Sequence, residues 1–100
     1  MSKSYWLAQI DVKNADEYKK YTAALGPVLK KHGARYVFRG GKVDLREGNM
    51  KPRIIIVEFP TATAAAECYS DPDYAAIIPL RTPHTEADLA ILEGYDGPQP

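Results

Sequence analysis

Arg39 stands directly before Gly40 and Gly41, at the end of "RYVFRGG", a stretch that otherwise reads as a β-strand. A guanidinium beside bare backbone can hold a carboxylate or phosphate, because its planar fork donates parallel hydrogen bonds while glycine lets a ligand approach the chain closely. The same glycines suit a turn or bulge, which would itself re-aim the neighbouring side chain, so the two readings stand together. Glu58 is the second candidate. It lies in "RIIIVEF", the clearest strand signal in the chain, where a carboxylate must be paired or raised in pKa. An ion pair with Arg39 or Arg53 is the structural reading of Glu58, and a general base is the chemical one. His84, in "RTPHTEAD" beside Arg81, is another acid or base candidate if that loop closes over the sheet. Gln9, Tyr18 and Arg81 complete a set that could line a binding pocket, although the tyrosines also suit a core with hydroxyls at its rim.

Several classes of function are disfavoured by composition. Thirteen basic and thirteen acidic residues cancel without a long block of either sign, so neither a nucleic acid nor an anionic membrane is an expected partner. Two distant histidines and one cysteine form no metal-ligand spacing, and no phosphate-binding glycine loop, dinucleotide fingerprint or nucleophile elbow is present. Neither a metal nor a cofactor is therefore expected. Cys68 is alone, which fits a reducing compartment; with no signal-peptide core in "MSKSYWLAQIDV" and no membrane-length apolar run, a cytoplasmic protein is expected.

The elements that must position these residues follow from period and punctuation. "SYWLAQIDV" reads as a strand, Asn14 with Glu17 as a helix start, and Tyr18, Tyr21, Leu25, Val28 and Leu29 as one face of a helix ending at Gly33. Pro27 inside that helix is expected to kink it or to begin a second segment. "ARYVFR" predicts a second strand, "KVDLRE" a short third one paired as a hairpin, and "RIIIVEF" a fourth. Thr61 heads an alanine-rich helix, Asp71-Pro72 starts a shorter one, and "ADLAILEG" is the last strand. The order is the split βαβ arrangement of a ferredoxin-like α+β domain over residues 1–95, with 96–100 as a flexible tail.

Sorting the strands by their period of two gives an apolar face containing Trp6, Ala8, Ile10, Tyr36, Phe38, Ile55, Val57, Phe59 and Leu89. The other phase mixes Leu7, Ile54, Ile56 and Leu92 with Gln9, Asp11, Arg39, Glu58 and Asp88. Two helices cover only one face of such a sheet, so the mixed face is expected to meet a second copy of the chain, with its polar groups enclosed between the subunits.

The chain resembles a family catalogued as domain of unknown function 1330, within the dimeric α+β barrel class. The resemblance spans nearly the whole chain, in "YWLAQIDV", Tyr18 and Tyr21 with Pro27, "RYVFRGG", Glu47-Gly48, Pro52-Arg53, "VEFPT", "CYSDPDY", Arg81 and "ADLAILEG". Departures from the family pattern are Cys68 where Trp is favoured, Asp71 and Asp73 around Pro72, and Gly33-Ala34 for a glycine pair. The resemblance implies a ferredoxin-like subunit whose sheet pairs with another to form a barrel-like homodimer, and it implies no reaction. Fold-level analogy extends only to a wider class that includes cofactor-independent oxygenases, lactone isomerases and haem-using enzymes.

The expectation is thus a homodimer binding a small anionic or polar-aromatic metabolite on the mixed sheet face, with Arg39, Gly40, Gly41, Gln9, Tyr18 and Arg81 as lining residues. One alternative is a cofactor-independent oxygenase or isomerase in which Glu58 or His84 moves a proton. The other is a structural dimerisation module whose charges pair across the interface.

Overall fold

Residues 2–100 are described by a computed structural model. The chain runs β1 (Ser4–Val12), α1 (Ala15–Lys31), β2 (Arg35–Arg39), β3 (Arg53–Phe59), α2 (Ala64–Tyr69), α3 (Pro72–Ile77), two single 3₁₀ turns at Ile78–Leu80 and Thr82–His84, and β4 (Thr85–Glu93). The four strands form one sheet in the order β2-β3-β1-β4, with each neighbouring pair antiparallel. β1 and β2 therefore run parallel with β3 between them, which is the split βαβ topology of a ferredoxin-like fold.

Local chemistry accounts for the boundaries. The Asn14 side chain accepts from the Glu17 N–H at 3.2 Å to open α1, and Gly33 at φ +70° follows its end. α1 passes through Pro27 as one helix rather than breaking there. Both Gly26 and Pro27 lie on its exposed side, where a helix wrapping a core is convex and the missing hydrogen bond is least costly. Asp71 caps α3 by accepting from the Asp73 N–H at 2.8 Å, and it is itself buried. Lys31 and His32, from the end of α1, each reach its Oδ2 at 2.7 Å. The Lys31 ammonium, then His32, then the Asp73 N–H hold the Asp71 carboxyl well below the usual range and fasten α3 to α1.

The core lies between the helices and one sheet face. Tyr18, Tyr21, Leu25, Val28 and Leu29 of α1 are buried against Trp6, Ala8, Ile10, Val57 and Phe59, each large apolar side chain contributing roughly 1.5–3 kcal/mol by leaving water. Trp6 is its centre, with ring centroids 5.3 Å from Phe59 and 5.0 Å from Tyr74 and its indole N–H donating to the Ala65 carbonyl at 2.9 Å. The buried stripe of α2 is Ala64, Ala65 and Cys68, while Ala66 and Tyr69 are exposed.

Two sequence expectations are corrected. "KVDLRE" forms no strand; residues 40–52 are an irregular, mostly exposed loop, because its charges leave too little apolar surface to hold a fifth strand on the sheet. The pairing of β2 with β3 also shifts register between Tyr36 and Phe38. This bulge at Val37 turns Phe38 away from the helices, opposite Ile56, and turns Arg39 towards them, opposite Ile55.

Ser4 shows how closely the first strand is tied to α2. Its buried hydroxyl donates to the Thr61 carbonyl at 2.7 Å and accepts from the Ala65 N–H at 3.0 Å. Ser4→Ala leaves both backbone groups without that partner and is expected to lower stability by about 1–3 kcal/mol in urea unfolding. A loss below about 0.5 kcal/mol would show that these contacts do not hold α2 in place.

Candidate functional site

The bulge in β2 has a direct consequence for chemistry. With Arg39 facing the helices, three arginines from separate parts of the chain reach one cavity between α1 and the sheet: Arg39 of β2, Arg53 of β3 and Arg81 from the turns before β4. Trp6, Ile55 and Leu89 supply the apolar floor, and Tyr18 and Tyr21 of α1 supply the roof. No aspartate, glutamate or histidine lines it. Its free volume is about 30 Å³, more than the ~10–15 Å³ that one water requires, so it has room for a water or two or for one small polar group.

Each guanidinium is held over an aromatic ring. The Arg39 Cζ lies 4.3 Å from the Tyr36 ring centroid, Arg53 lies 5.4 Å from Tyr18, and Arg81 lies 5.4 Å from Tyr21. Such contacts contribute on the order of 0.5–2 kcal/mol, but a ring face offers no lone pair to an N–H donor. The Nε atoms of Arg53 and Arg81 are buried and have no hydrogen-bond partner. A buried unpaired donor costs roughly 1–3 kcal/mol and more when charged, which outweighs the ring contact and marks a place for an acceptor.

Behind the arginines, the Tyr21 and Tyr74 hydroxyls meet at 2.9 Å. Burial, followed by the neighbouring Tyr74, pushes the Tyr21 phenol well above its ordinary value, and burial likewise raises Tyr18. Both phenols therefore stay neutral and can donate. Gly40, at φ +64°, runs past the Arg53 guanidinium: a Cβ there would lie 3.4 Å from Cζ. The glycine thus permits both the turn out of β2 and the close passage of backbone beside an arginine. Gly41 lies against the Phe38 ring and does not line the cavity.

The remaining sequence candidates lie elsewhere. Glu58 is on the open sheet face, where its Oε1 takes Arg35 at 3.0 Å and Lys3 at 3.2 Å and its Oε2 accepts from the Tyr5 hydroxyl at 3.2 Å. The expected partners Arg39 and Arg53 are on the other side of the sheet, since Arg53 shares the phase of Ile55 and Val57 and the bulge brings Arg39 to it. Gln9 also lies on the open face, accepting from the Lys51 N–H at 3.4 Å. Lys51 additionally pairs with Asp88, and Asp11 pairs with Lys13 at 2.9 Å. His84 lies beside α1, 3.9 Å from Glu17, and its carbonyl accepts from the Lys13 N–H at 2.7 Å. Neither Glu58 nor His84 lines the cavity. Cys68 is buried, and burial pushes its thiol up to about 11. Among the described residues no group of three or more histidine, cysteine, aspartate or glutamate side chains is gathered to hold a metal, and no helix is long and apolar enough to cross a membrane.

The family pattern DUF1330, a domain of unknown function, matches residues 3–95. The chain belongs to the DUF1330 family. No curated protein matches it significantly. Among solved structures, it is similar to a methylated protein from Rhodopseudomonas palustris at 20% identity and TM-score 0.74, covering 98% of this chain and 84% of that one. It is also similar to SnoaB, a cofactor-independent oxygenase from Streptomyces nogalater, at 11% identity and TM-score 0.64, over 100% and 97% of the two chains. A dimeric ferredoxin-like protein of unknown function from Thermobifida fusca aligns at 13% identity and TM-score 0.59, over 92% and 89%. These likenesses establish that this DUF1330 chain has the ferredoxin-like α+β fold.

The sequence places Arg39, Tyr18 and Arg81 around a pocket on the open sheet face; the structure brings the three together instead in the cavity on the helix-covered face. Sequence reasoning missed Arg53 as a lining residue, although Arg53 stands two and four positions before Ile55 and Val57 on the apolar phase.

Glu58 offers a check on its structural part. The Arg35 hydrogen bond, then that from Lys3, holds its carboxyl below the ordinary value of 4.5. A lowered folded pKa means that the stabilisation is present above the unfolded value and lost as pH falls through the folded one. The stability gap between wild type and Glu58→Gln is therefore expected at about pH 7 and should shrink below about pH 4.5 in denaturant titrations. A gap unchanged down to about pH 3 would contradict these ion pairs.

Proposed function

We propose that this DUF1330 protein binds a small molecule bearing a carboxylate, or a comparable anion, in the cavity between α1 and the sheet. The observation that carries the reading is the pair of buried, unpartnered Nε donors of Arg53 and Arg81 in a cavity without a single acidic side chain. Arg39, more exposed than either, sits at the mouth and draws the anion in. Tyr18, Trp6 and Ile55 take the apolar part of the ligand. An oxygenase or isomerase reading that uses Glu58 or His84 receives no support from this cavity, because neither side chain reaches it, and likeness to an oxygenase at 11% identity speaks for the fold alone.

The second part of the proposal is that two copies pair through their open sheet faces. That face presents Leu7, Ala90 and the exposed Leu92, while Glu58, Asp11 and Asp88 are each neutralised within their own chain. A face with internally paired charges loses less on burial than one whose charges must find partners across the interface. The similar fold described as dimeric in Thermobifida fusca supports a dimer.

Both parts can be measured on the same protein. Trp6 is the chain's single tryptophan and lines the cavity, so formate is expected to change its fluorescence saturably, with Arg53→Gln weakening the midpoint by about tenfold or more. Titration curves that are flat, or identical in the variant, would remove the anion site. Leu7→Glu, on the opposite face, is expected to convert a dimer to a monomer in sedimentation velocity; a wild-type monomer would refute the paired sheets.

A further inference from the structure

Resting on the paired sheets proposed above, we infer that residues 40–52 form an arm that clasps the second copy of the chain, with Val43, Leu45 and Met50 buried against the other protomer. This segment joins β2 to β3 over thirteen residues without regular structure. Connections of that length are uncommon in small domains and mostly serve a function. Its composition is unlike that of a solvated loop, since Val43, Leu45 and Met50 stand 40%, 46% and 43% exposed. One exposed apolar side chain needs no explanation, whereas three on one loop beside an apolar sheet surface mark a contact.

The arm belongs to the same face as the proposed interface. The bulge in β2 turns Phe38 out opposite Ile56, and Phe38, Ile54 and Ile56 become the floor of an open groove of about 280 Å³ with Val43 and Met50 at its side. Further along, the Lys51 N–H donates to Gln9 of β1 at 3.4 Å and its ammonium pairs with Asp88 of β4. The returning limb therefore reaches from the start of β3 past β1 to β4, bordering the face that carries Leu7, Ala90 and Leu92. A copy laid on those residues meets the arm as well.

Charge decides which partner fits. The arm carries Lys42, Arg46 and Lys51 against Asp44 and Glu47, with Asp88 completing the balance; Arg46 pairs with Asp44 at 3.0 Å and Lys51 with Asp88. Nucleic acid, an anionic membrane or a strongly charged peptide would require an excess of one sign. A second copy does not, because two balanced surfaces of identical sequence approach without net repulsion and bury apolar groups from both. Between its Cα extremes the chain measures 43 × 36 × 17 Å, a slab with helices on one broad side only, so the other side is wide enough for a whole second protomer.

The test measures the dimer dissociation constant of the whole chain by sedimentation equilibrium, together with hydrogen exchange of residues 40–52 above and below that constant. Leu45→Ser combined with Met50→Ser, both exposed within one chain and so of little cost to the isolated fold, is expected to weaken the dimer by about tenfold or more because each loss occurs twice. The arm of the wild-type dimer is expected to exchange at least about fivefold more slowly than that of the monomer. A double variant that dimerises within about twofold of wild type would overturn the clasp and leave the paired sheets standing. An arm that exchanges equally fast in both states, and so stays free for another partner, would do the same. A chain that is monomeric at every concentration would overturn the paired sheets and the clasp together.

Discussion

Two guanidinium groups in the layer between α1 and the sheet have buried Nε donors without acceptors, and the rest of the site is arranged around that fact. A charged donor withdrawn from water needs either a partner or a reason to wait for one. Here the surrounding fold provides ring faces, which stabilise the positive charge, and withholds carboxylates, which would complete the hydrogen bonding permanently. The arrangement keeps the two Nε donors inside without a partner. A ligand that brings acceptors gains what the protein has left unmade.

The topology makes this possible by separating two duties between two sheet faces. On the open face every named carboxylate is already matched, Glu58 by Lys3, Arg35 and Tyr5, Asp11 by Lys13, and Asp88 by Lys51. On the helix-covered face the arginines come from β2, from β3 and from the approach to β4, and the tyrosines from α1. A single-residue bulge decides to which face Arg39 belongs. Without it, the period of two would put Arg39 on the open face opposite Ile54 and Phe38 in the core opposite Ile55.

That bulge also marks the limit of what the sequence made legible. Strand order, the capped start of α1, the Asp71-Pro72 start of α3 and the apolar phase through Trp6, Ala8 and Ile10 all follow from residue types at short range, and the structure agrees with them. The face occupied by Arg39 depends on pairing between β2 and β3, segments separated by a long loop, and strict alternation gives the wrong side. The mistaken strand at "KVDLRE" has a similar origin, since alternation alone does not measure whether a sheet edge gains enough apolar burial to keep a strand. Arg53 was legible in principle from its phase. Its role depends on Arg81, distant in sequence, which faces the same cavity.

The central claim, that unsatisfied arginines in this cavity await an anionic ligand, is tested most directly by NMR of the arginine side chains. In a protein labelled with ¹⁵N at arginine, the Nε–H signals of Arg53 and Arg81 are observed during titration with formate and assigned by Arg53→Lys and Arg81→Lys. The account predicts that these two signals shift together and saturably, with slowed exchange with water as the donors gain acceptors. Shifts confined to Arg35 and other groups on the open sheet face, with Arg53 and Arg81 unmoved, would contradict it.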